Sequence, residues 1–217
     1  MKEKTIPAVI ILVILLVLIG STAYFQAIFS DLVGTFEEFT DKHYFLGPLS
    51  YIALAAASVL LGPFTSAPLI PFAVSAWGVV LTIFYTMFGW LLGGVLSYAI
   101  GLYAGKPFVR WAVGEERLDQ WLSYLHARLN FWLLLLFRLA MPSETGYVFG
   151  LIGYDIPRYL LITALAEMPF ALILVFAGDA FLQNGWTALV LLALVGIFII
   201  AFAYREFMRR VRSTRAQ

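Results

Sequence analysis

The sequence predicts an all-α integral membrane protein with about four transmembrane helices and two facing re-entrant hairpins in an inverted repeat, joined by interfacial amphipathic helices. Three observations predict this class. Of the 217 residues, 62% are hydrophobic and 12% are charged, about half the charged fraction of a soluble domain. Several apolar runs approach or exceed the roughly 20 residues that a membrane span requires. Two of these runs are broken by prolines, which cannot continue a helix.

The N-terminal segment 1–29 is predicted to be an uncleaved transmembrane helix. Lys2 and Lys4 precede an apolar run over 6–29, which exceeds the roughly 7 to 15 residues of a signal-peptide core. Residues 30–44 alternate acidic and apolar positions at helical spacing, which predicts an amphipathic helix on the membrane surface.

The first predicted hairpin covers 47–82. An apolar, small-residue run ends in a turn that carries no charge and holds the prolines and hydroxyl residues of the expected reversal, namely Pro63, Thr65, Ser66, Pro68 and Pro71. The hydroxyls there are typical of turn residues that satisfy freed backbone groups. We expect a return limb over 68–82, because the apolar run 68–105 is nearly twice as long as one span requires. Such a hairpin is tolerated at membrane depth only when protein or a wet cavity surrounds its broken backbone.

A true span is predicted over 84–105. Its glycines, including Gly94, Gly101 and Gly105, have the spacing that lets helix backbones approach closely in lipid. The charged segment 106–128 follows, with Leu118 and Trp121 on one apolar face, and is predicted to be a second interfacial helix.

The second predicted hairpin covers 129–153, and further spans are expected at 159–177 and 186–204. A core over 30–180 would then be followed by the C-terminal span and a basic tail, 205–217. Each half of the core consists of a surface helix, a hairpin and a span in that order, which predicts an inverted repeat.

Lysine and arginine counts favour hairpins over crossings. If all six apolar segments crossed, eight basic residues would lie inside and five outside, namely Lys42, Lys106, Arg110, Arg117 and Arg128. If the two broken segments return on the side they enter, twelve lie inside and Lys42 alone lies outside. The positive-inside rule favours the second arrangement, with both termini in the cytoplasm. The expected location is the inner (plasma) membrane.

Charged residues inside the second hairpin are the main functional candidates. Arg138 and Glu144 flank Pro142, and Gly146 follows, all within an apolar stretch. Intramembrane charges cost at least about 2.5 kcal/mol, so a function with a nearby partner is the default expectation. Two alternatives stay open: Arg138 pairs with Glu144, or Arg138 meets an anionic headgroup phosphate while Glu144 acts as a proton carrier or a gate.

Glu167 is the other candidate carboxylate, in the middle of the 159–177 run and two residues before Pro169. The proline frees a backbone carbonyl one turn earlier and creates a polar notch beside the acid. Glu167 is expected either to take part in a transport pathway or to serve as a hydrogen-bonded packing residue.

Three stretches carry a resemblance: 94–105 with its Gly101-Leu102-Tyr103-Ala104-Gly105 ending, 137–142 with Arg138 before Pro142, and 150–153. Over about 45–180 the chain resembles the DedA family, also called the SNARE-associated Golgi protein or VTT-domain family. The resemblance implies facing re-entrant hairpins, transbilayer movement of lipids such as undecaprenyl phosphate or phospholipids, and an essential role for Arg138. The first hairpin lacks the acidic residue of many bacterial members, Leu102 replaces a position that is often basic, and Ser143 follows the proline where glycine is common.

The leading hypothesis is a lipid flippase or scramblase whose partners are membrane lipids. A proton- or ion-coupled transporter of a small solute and a noncatalytic assembly protein, with or without homo-oligomerisation, remain as alternatives. The absence of cysteine and of any recognisable triad, phosphate loop or metal spacing favours a protein that is not an enzyme and uses no cofactor, metal or nucleic acid.

Overall fold

The computed structural model describes residues 45–61, 66–125, 130–141 and 145–215, together with Gly34, Glu38 and Lys42. The described part is helical and contains no strand, which confirms the predicted all-α class. Its helices are α1 (Leu46–Leu60), α2 (Ile70–Val113), α3 (Glu115–Leu125), α4 (Phe131–Ala140), α5 (Thr145–Leu151), α6 (Ile156–Leu182) and α7 (Trp186–Arg215), with a short 3-10 turn at Ala67–Leu69.

The first hairpin is formed by α1 and by segment 70–77 at the start of α2. Gly78 ends this segment with φ 75° and ψ 171°, a conformation that glycine adopts without the penalty of a Cβ. The Trp77 ring lies 5.7 Å from the Tyr51 ring, so the start of α1 and the end of the return segment share one level of the bundle. The return limb therefore stops at Gly78 rather than at the predicted residue 82, because a backbone break inside an apolar run leaves no polar signal.

The long segment 79–104 of α2 is the central helix of the bundle. Gly89 and Gly93 lie so close to α1 that an added Cβ would meet Ala55 and the Ala56 backbone. Tyr51 Oη lies 2.7 Å from Thr86 Oγ1 in the same interface. Close backbone approach thus fixes the first hairpin against one half of the central helix.

Helix α3 has the predicted amphipathic pattern, but its apolar face is covered by protein. Leu118 and Trp121 are buried, and the Trp121 ring lies 5.8 Å from the Phe137 ring of α4. The predicted interfacial helix therefore has its apolar face in the main core. The next helix in the chain, α4, supplies the aromatic side chain of Phe137 against which this face packs.

The second hairpin is formed by α4 and α5, both within the predicted range 129–153. Asn130 caps α4 by accepting a hydrogen bond from the Trp132 amide at 3.1 Å. Helix α5 packs against the other half of the central helix, where Gly101 faces the Tyr147 backbone and Gly150 faces the Tyr98 backbone. The two hairpins therefore lie against opposite halves of one helix.

The two hairpins meet near the middle of the bundle. Tyr147 of α5 donates a hydrogen bond from its hydroxyl to the carbonyl of Leu60, the last residue of α1, at 2.8 Å. In each half, two hairpin limbs are followed by a long helical segment: α1, 70–77 and 79–104 in the first half, and α4, α5 and α6 in the second. This is the order expected for an inverted repeat.

Three described helices are long and apolar enough to cross a membrane, judged by length and composition: Ala67–Trp111, Ile156–Leu182 and Trp186–Arg210. Helix α7 runs without a break to Arg215, so the predicted span 186–204 and basic tail 205–217 form one helix as far as residue 215. Phe207 on this extension is buried against Phe137, which explains why the helix continues.

The predicted transmembrane helix 6–29 and most of the predicted surface helix 30–44 lie outside the described residues. Within that surface segment, Gly34, Glu38 and Lys42 are helical, and Lys42 forms an exposed ion pair with Glu38 at 2.6 Å.

Candidate functional site

A buried ion pair joins the second hairpin to helix α6. Arg138 Nη2 donates to Glu167 Oε1 at 2.6 Å, and Arg138 Nη1 donates to Thr145 Oγ1 at 3.0 Å. The Arg138 side chain is 2% exposed and that of Glu167 is 13% exposed. Of the two predicted alternatives for Arg138, neither named Glu167 as its partner.

Local structure explains how the arginine reaches this position. Arg138 lies in the last turn of α4, which ends when Met141 adopts an extended conformation. A cation is favoured there because the C-terminal end of a helix carries partial negative charge. Thr145 begins α5 on the other side of the reversal, so its hydroxyl accepts from the same guanidinium and links the two limbs of the hairpin.

The pair is neutral as a unit, which makes its position tolerable. Glu167 is the twelfth residue of the 27-residue helix α6, so the pair lies near the middle of a helix that is long enough to span. A single charge at such a depth is costly, and an opposite charge in hydrogen-bond contact offsets much of that cost.

A cavity of about 340 Å³ opens beside the ion pair. Its walls come from four helices: α2 provides Trp90, α4 provides Arg138 to Ala140, α6 provides Glu167 and Phe170, and α7 provides Ile200. Because Ile200 is 45% exposed, this cavity reaches the outer, apolar surface of the bundle. A space with apolar walls and one charged pair suits a ligand that carries both polar and apolar parts.

The cavity also touches the first hairpin through Trp90. The indole Nε1 of Trp90 donates to Ser66 Oγ at 3.1 Å, and Ser66 lies in the reversal of that hairpin. Arg138 of the second hairpin lines the same cavity. Ser66 of the first hairpin thus contacts one wall of the cavity, and Arg138 of the second hairpin forms another. An inverted-repeat transporter places its substrate site between such broken elements.

Buried tyrosines stabilise the wall behind the ion pair. Tyr159 of α6 donates to the Gly94 carbonyl at 3.0 Å, and its ring stacks on Tyr98 at 5.1 Å between centroids. Tyr98 donates to the Tyr154 carbonyl. These hydroxyls tie α6, and Tyr154 just before it, to the central helix without adding charge.

Three of the predicted glycines lie in contacts between helices. Gly146 lies against Ser97, so it packs α5 on the central helix rather than lining the cavity. Gly94 and Gly101 face Tyr159 and Tyr147 in helix contacts.

Gly105 differs from its expected packing role. It has φ +72°, and the nearest atom to an added Cβ there belongs to Pro107, two residues away. Gly105 therefore marks a backbone break that ends the central segment and lets the chain turn toward α3, because few other residues adopt this φ.

In the first reversal, Ser66 accepts from Trp90 as described, and Pro68 lies exposed in the 3-10 turn. The remaining candidates, Pro63, Thr65, Pro142 and Glu144, lie outside the described residues.

Sequence reasoning missed Thr145 and Trp90 as members of the site. Thr145 follows Glu144 directly, and a hydroxyl at the start of a helix is an ordinary local feature that gives no hint of a guanidinium partner. Trp90 lies in a run of apolar residues where tryptophan is unremarkable. Its neighbour Gly89 marks a close helix contact, but the bond to Ser66 depends on how the first hairpin folds back.

Comparison with known families assigns the chain to one group. Residues 48–180 match the family model described as the VTT domain. The chain belongs to the VTT-domain family. This is the DedA or SNARE-associated Golgi protein family, so the resemblance noted from the sequence is confirmed. The match includes both hairpins, the central helix and helix α6, and hence Arg138 and Glu167.

One curated relative is a transporter. The chain is 31% identical over 134 residues to the MFS-type transporter opaD of Aspergillus ustus, an alignment that covers 57% of this chain and 22% of that protein. The chain thus spans about a fifth of the length of this relative. No solved structure matches the chain.

Proposed function

We propose that this protein is a lipid translocase, a flippase or scramblase, that moves an anionic lipid headgroup across the bilayer through the cavity beside Arg138 and Glu167. Undecaprenyl phosphate and anionic phospholipids have the required chemistry. The observation that supports this proposal best is a buried arginine that lines a cavity at the junction of both hairpins and near the middle of a spanning helix.

The guanidinium supplies the recognition chemistry. Its planar fork of donors matches the oxygens of a phosphate group, and contacts with an anion are strong where water is scarce. The apolar wall of the cavity reaches the bundle surface at Ile200, so lipid tails can stay in the bilayer while the headgroup enters.

Glu167 acts as a resident anion that the headgroup must replace. In the absence of lipid it neutralises Arg138, which keeps the empty site stable. When a phosphate approaches, the carboxylate and the phosphate compete for one guanidinium. When the headgroup leaves, Arg138 pairs with Glu167 again. The arginine therefore has an anionic partner both before and after the lipid moves.

The proposed orientation follows from the charge distribution. The basic residues outside the spans collect near both termini and in the segment before the second hairpin, which favours a cytoplasmic position for these parts. The second hairpin would then enter the inner membrane from the cytoplasm and the first from the opposite side.

The test is a reconstitution in liposomes with a headgroup-labelled anionic phospholipid. We expect Arg138→Ala to lower the transbilayer exchange rate by about tenfold or more, because a charge-assisted contact of roughly 1.5–3 kcal/mol is lost. Arg158→Ala is the matched control, since Arg158 is exposed and only loosely paired with Asp155 at 3.9 Å. Equal exchange rates in the wild type and Arg138→Ala would rule out the proposal.

A proton-coupled transporter of a small solute is the second candidate, and the similarity to a named transporter favours it. In that case Glu167 would release Arg138 when it takes up a proton. Transport would then follow an imposed pH gradient and fail in Glu167→Gln. A passive scramblase would exchange lipid at the same rate with or without the gradient.

A further inference from the structure

A second cavity lies where α6 ends and α7 begins, and it is separate from the site above. Its volume is about 520 Å³. Apolar side chains of Phe176, Ala188, Leu191 and Leu192 line it, together with the polar side chains of Asp179 and Gln183. Asp179 is the one ionisable residue among the described residues of this lining.

The charge of Asp179 has no compensating cation within the described ranges. Gln183 Nε2 donates to Asp179 Oδ2 at 2.8 Å, which supplies a hydrogen bond but no charge. Asp179 lies in the last turn of α6, where no basic residue occurs. A carboxylate at a helix C-terminus faces the negative end of the helix dipole, so this position favours a cation instead.

The cavity lies at the depth where lipid headgroups are found. Asp179 follows Glu167 by twelve residues (179 minus 167) on one helix, which is about 18 Å along its axis. Half of a hydrocarbon core measures about 15 Å, so a mid-membrane Glu167 places Asp179 at the interface. Trp186, which starts α7 beside this cavity, is 49% exposed, and exposed tryptophan is typical of that level.

We propose that this cavity binds a phospholipid whose headgroup ends in a primary ammonium group, with the ammonium at Asp179 and the acyl chain against Phe176, Leu191 and Leu192. The carboxylate accepts hydrogen bonds from the ammonium N–H groups and gains a countercharge that the described residues do not provide. The apolar walls distinguish a lipid from a free amine, because a soluble amine leaves most of the cavity surface uncovered. This site does not depend on Arg138 or Glu167.

The test is native mass spectrometry of the purified full chain with equal amounts of phosphatidylethanolamine, phosphatidylcholine and phosphatidylglycerol. Phosphatidylcholine is the matched probe, because its quaternary ammonium has the same charge and no N–H donor. We expect phosphatidylethanolamine to be retained about tenfold more than phosphatidylcholine, since a charge-assisted hydrogen bond separates the two. Asp179→Asn should reduce this preference to about equal retention.

Two further variants keep the result interpretable. Asp155→Asn removes an exposed carboxylate at the other end of α6 and should retain the wild-type preference, whereas Ala188→Trp should fill the cavity and lose the bound lipid. Equal retention of the two lipids by the wild type, or an unchanged preference in Asp179→Asn, would overturn the proposal. Displacement of the lipid by free ethanolamine at similar concentration would also overturn it, because the cavity would then be a solute site.

Discussion

The two hairpins share a geometry and differ in their chemistry. Each packs on one half of the central helix, and the Tyr147 hydroxyl of the second bonds the Leu60 carbonyl of the first. The second hairpin lines the cavity directly, and the first touches its wall through the Ser66–Trp90 hydrogen bond. The first hairpin uses neutral contacts, such as the Tyr51–Thr86 hydroxyl pair and the Trp90–Ser66 hydrogen bond. The second carries Arg138 and binds Glu167 of α6.

This difference indicates a division of roles. Neutral hydrogen bonds between helices in lipid average about 0.6 kcal/mol and fix geometry without attracting a charged ligand. A buried arginine costs more to place, and replacing a buried ion pair as a whole by apolar residues of similar volume often leaves stability unchanged or higher. Stability alone therefore gives little reason for an ion pair here, whereas a charged ligand does. We therefore propose that the first hairpin fixes the geometry of the site and that the second supplies its chemistry.

The largest expected effect comes from breaking the ion pair on one side. Arg138→Ala leaves Glu167 buried without its cation, and we expect a loss of about 3–5 kcal/mol in the free energy of unfolding. Denaturant titration in mild detergent measures this loss. Exposed Arg158→Ala is the control and should change stability by less than about 0.5 kcal/mol. A loss below 1 kcal/mol in Arg138→Ala, on the scale of a surface pair, would contradict the buried pairing.

The next largest effect concerns the glycines that seat the second hairpin. Gly150→Leu places a side chain where the Tyr98 backbone lies, and we expect overpacking to cost about 1–3 kcal/mol. Gly196→Leu on α7 is the comparison, because an added Cβ there meets only Ile173 at 3.9 Å. Thermal unfolding of both variants in detergent should separate them. Equal melting temperatures would argue against the close α2–α5 contact.

A smaller effect is expected where the hairpins meet. Tyr147→Phe removes the hydroxyl that donates to the Leu60 carbonyl, and its loss should cost about 1 kcal/mol. The exchange rate of labelled lipid should also fall, because this bond links the first hairpin to the hairpin that carries Arg138, and the proposed pathway runs beside both. A stable variant with a wild-type exchange rate would show that the hairpins work without this link.

The smallest effect is expected inside the first hairpin. Tyr51→Phe removes one partner of the Thr86 hydroxyl and should cost about 0.6 kcal/mol, the average for such bonds in membranes. Lipid exchange should remain at the wild-type rate. A strong loss of exchange in a folded Tyr51→Phe protein would assign a chemical role to the first hairpin and contradict the division of roles.

The sequence predicts the order of elements better than the contacts between them. Proline positions and basic-residue counts predict both hairpins. Charged residues within apolar runs indicate Arg138 and Glu167 as separate candidates. Their pairing links positions 29 residues apart on different helices, and no local pattern encodes such a contact. Arg138 and Glu144 are much closer in sequence, so the sequence favours them as an ion pair.

Backbone breaks are the other feature that sequence patterns miss. Gly78 and Gly105 lie in apolar runs and resemble the glycines that pack helices, yet both have positive φ and interrupt α2. Gly89, Gly93 and Gly101 lie in equally apolar sequence and do pack against neighbouring helices. The distinction depends on the path of the chain in three dimensions, which short-range spacing does not specify.

The central claim is that the ion pair serves lipid transfer rather than folding. The variant that tests it most directly is Arg138→Met with Glu167→Leu, because similar apolar volume should keep the free energy of unfolding within about 1 kcal/mol of the wild type. The measurement is transbilayer exchange of a headgroup-labelled anionic lipid in liposomes, made on this stable double variant. We predict a folded protein that has lost exchange. A folded double variant that exchanges lipid at the wild-type rate would contradict the account.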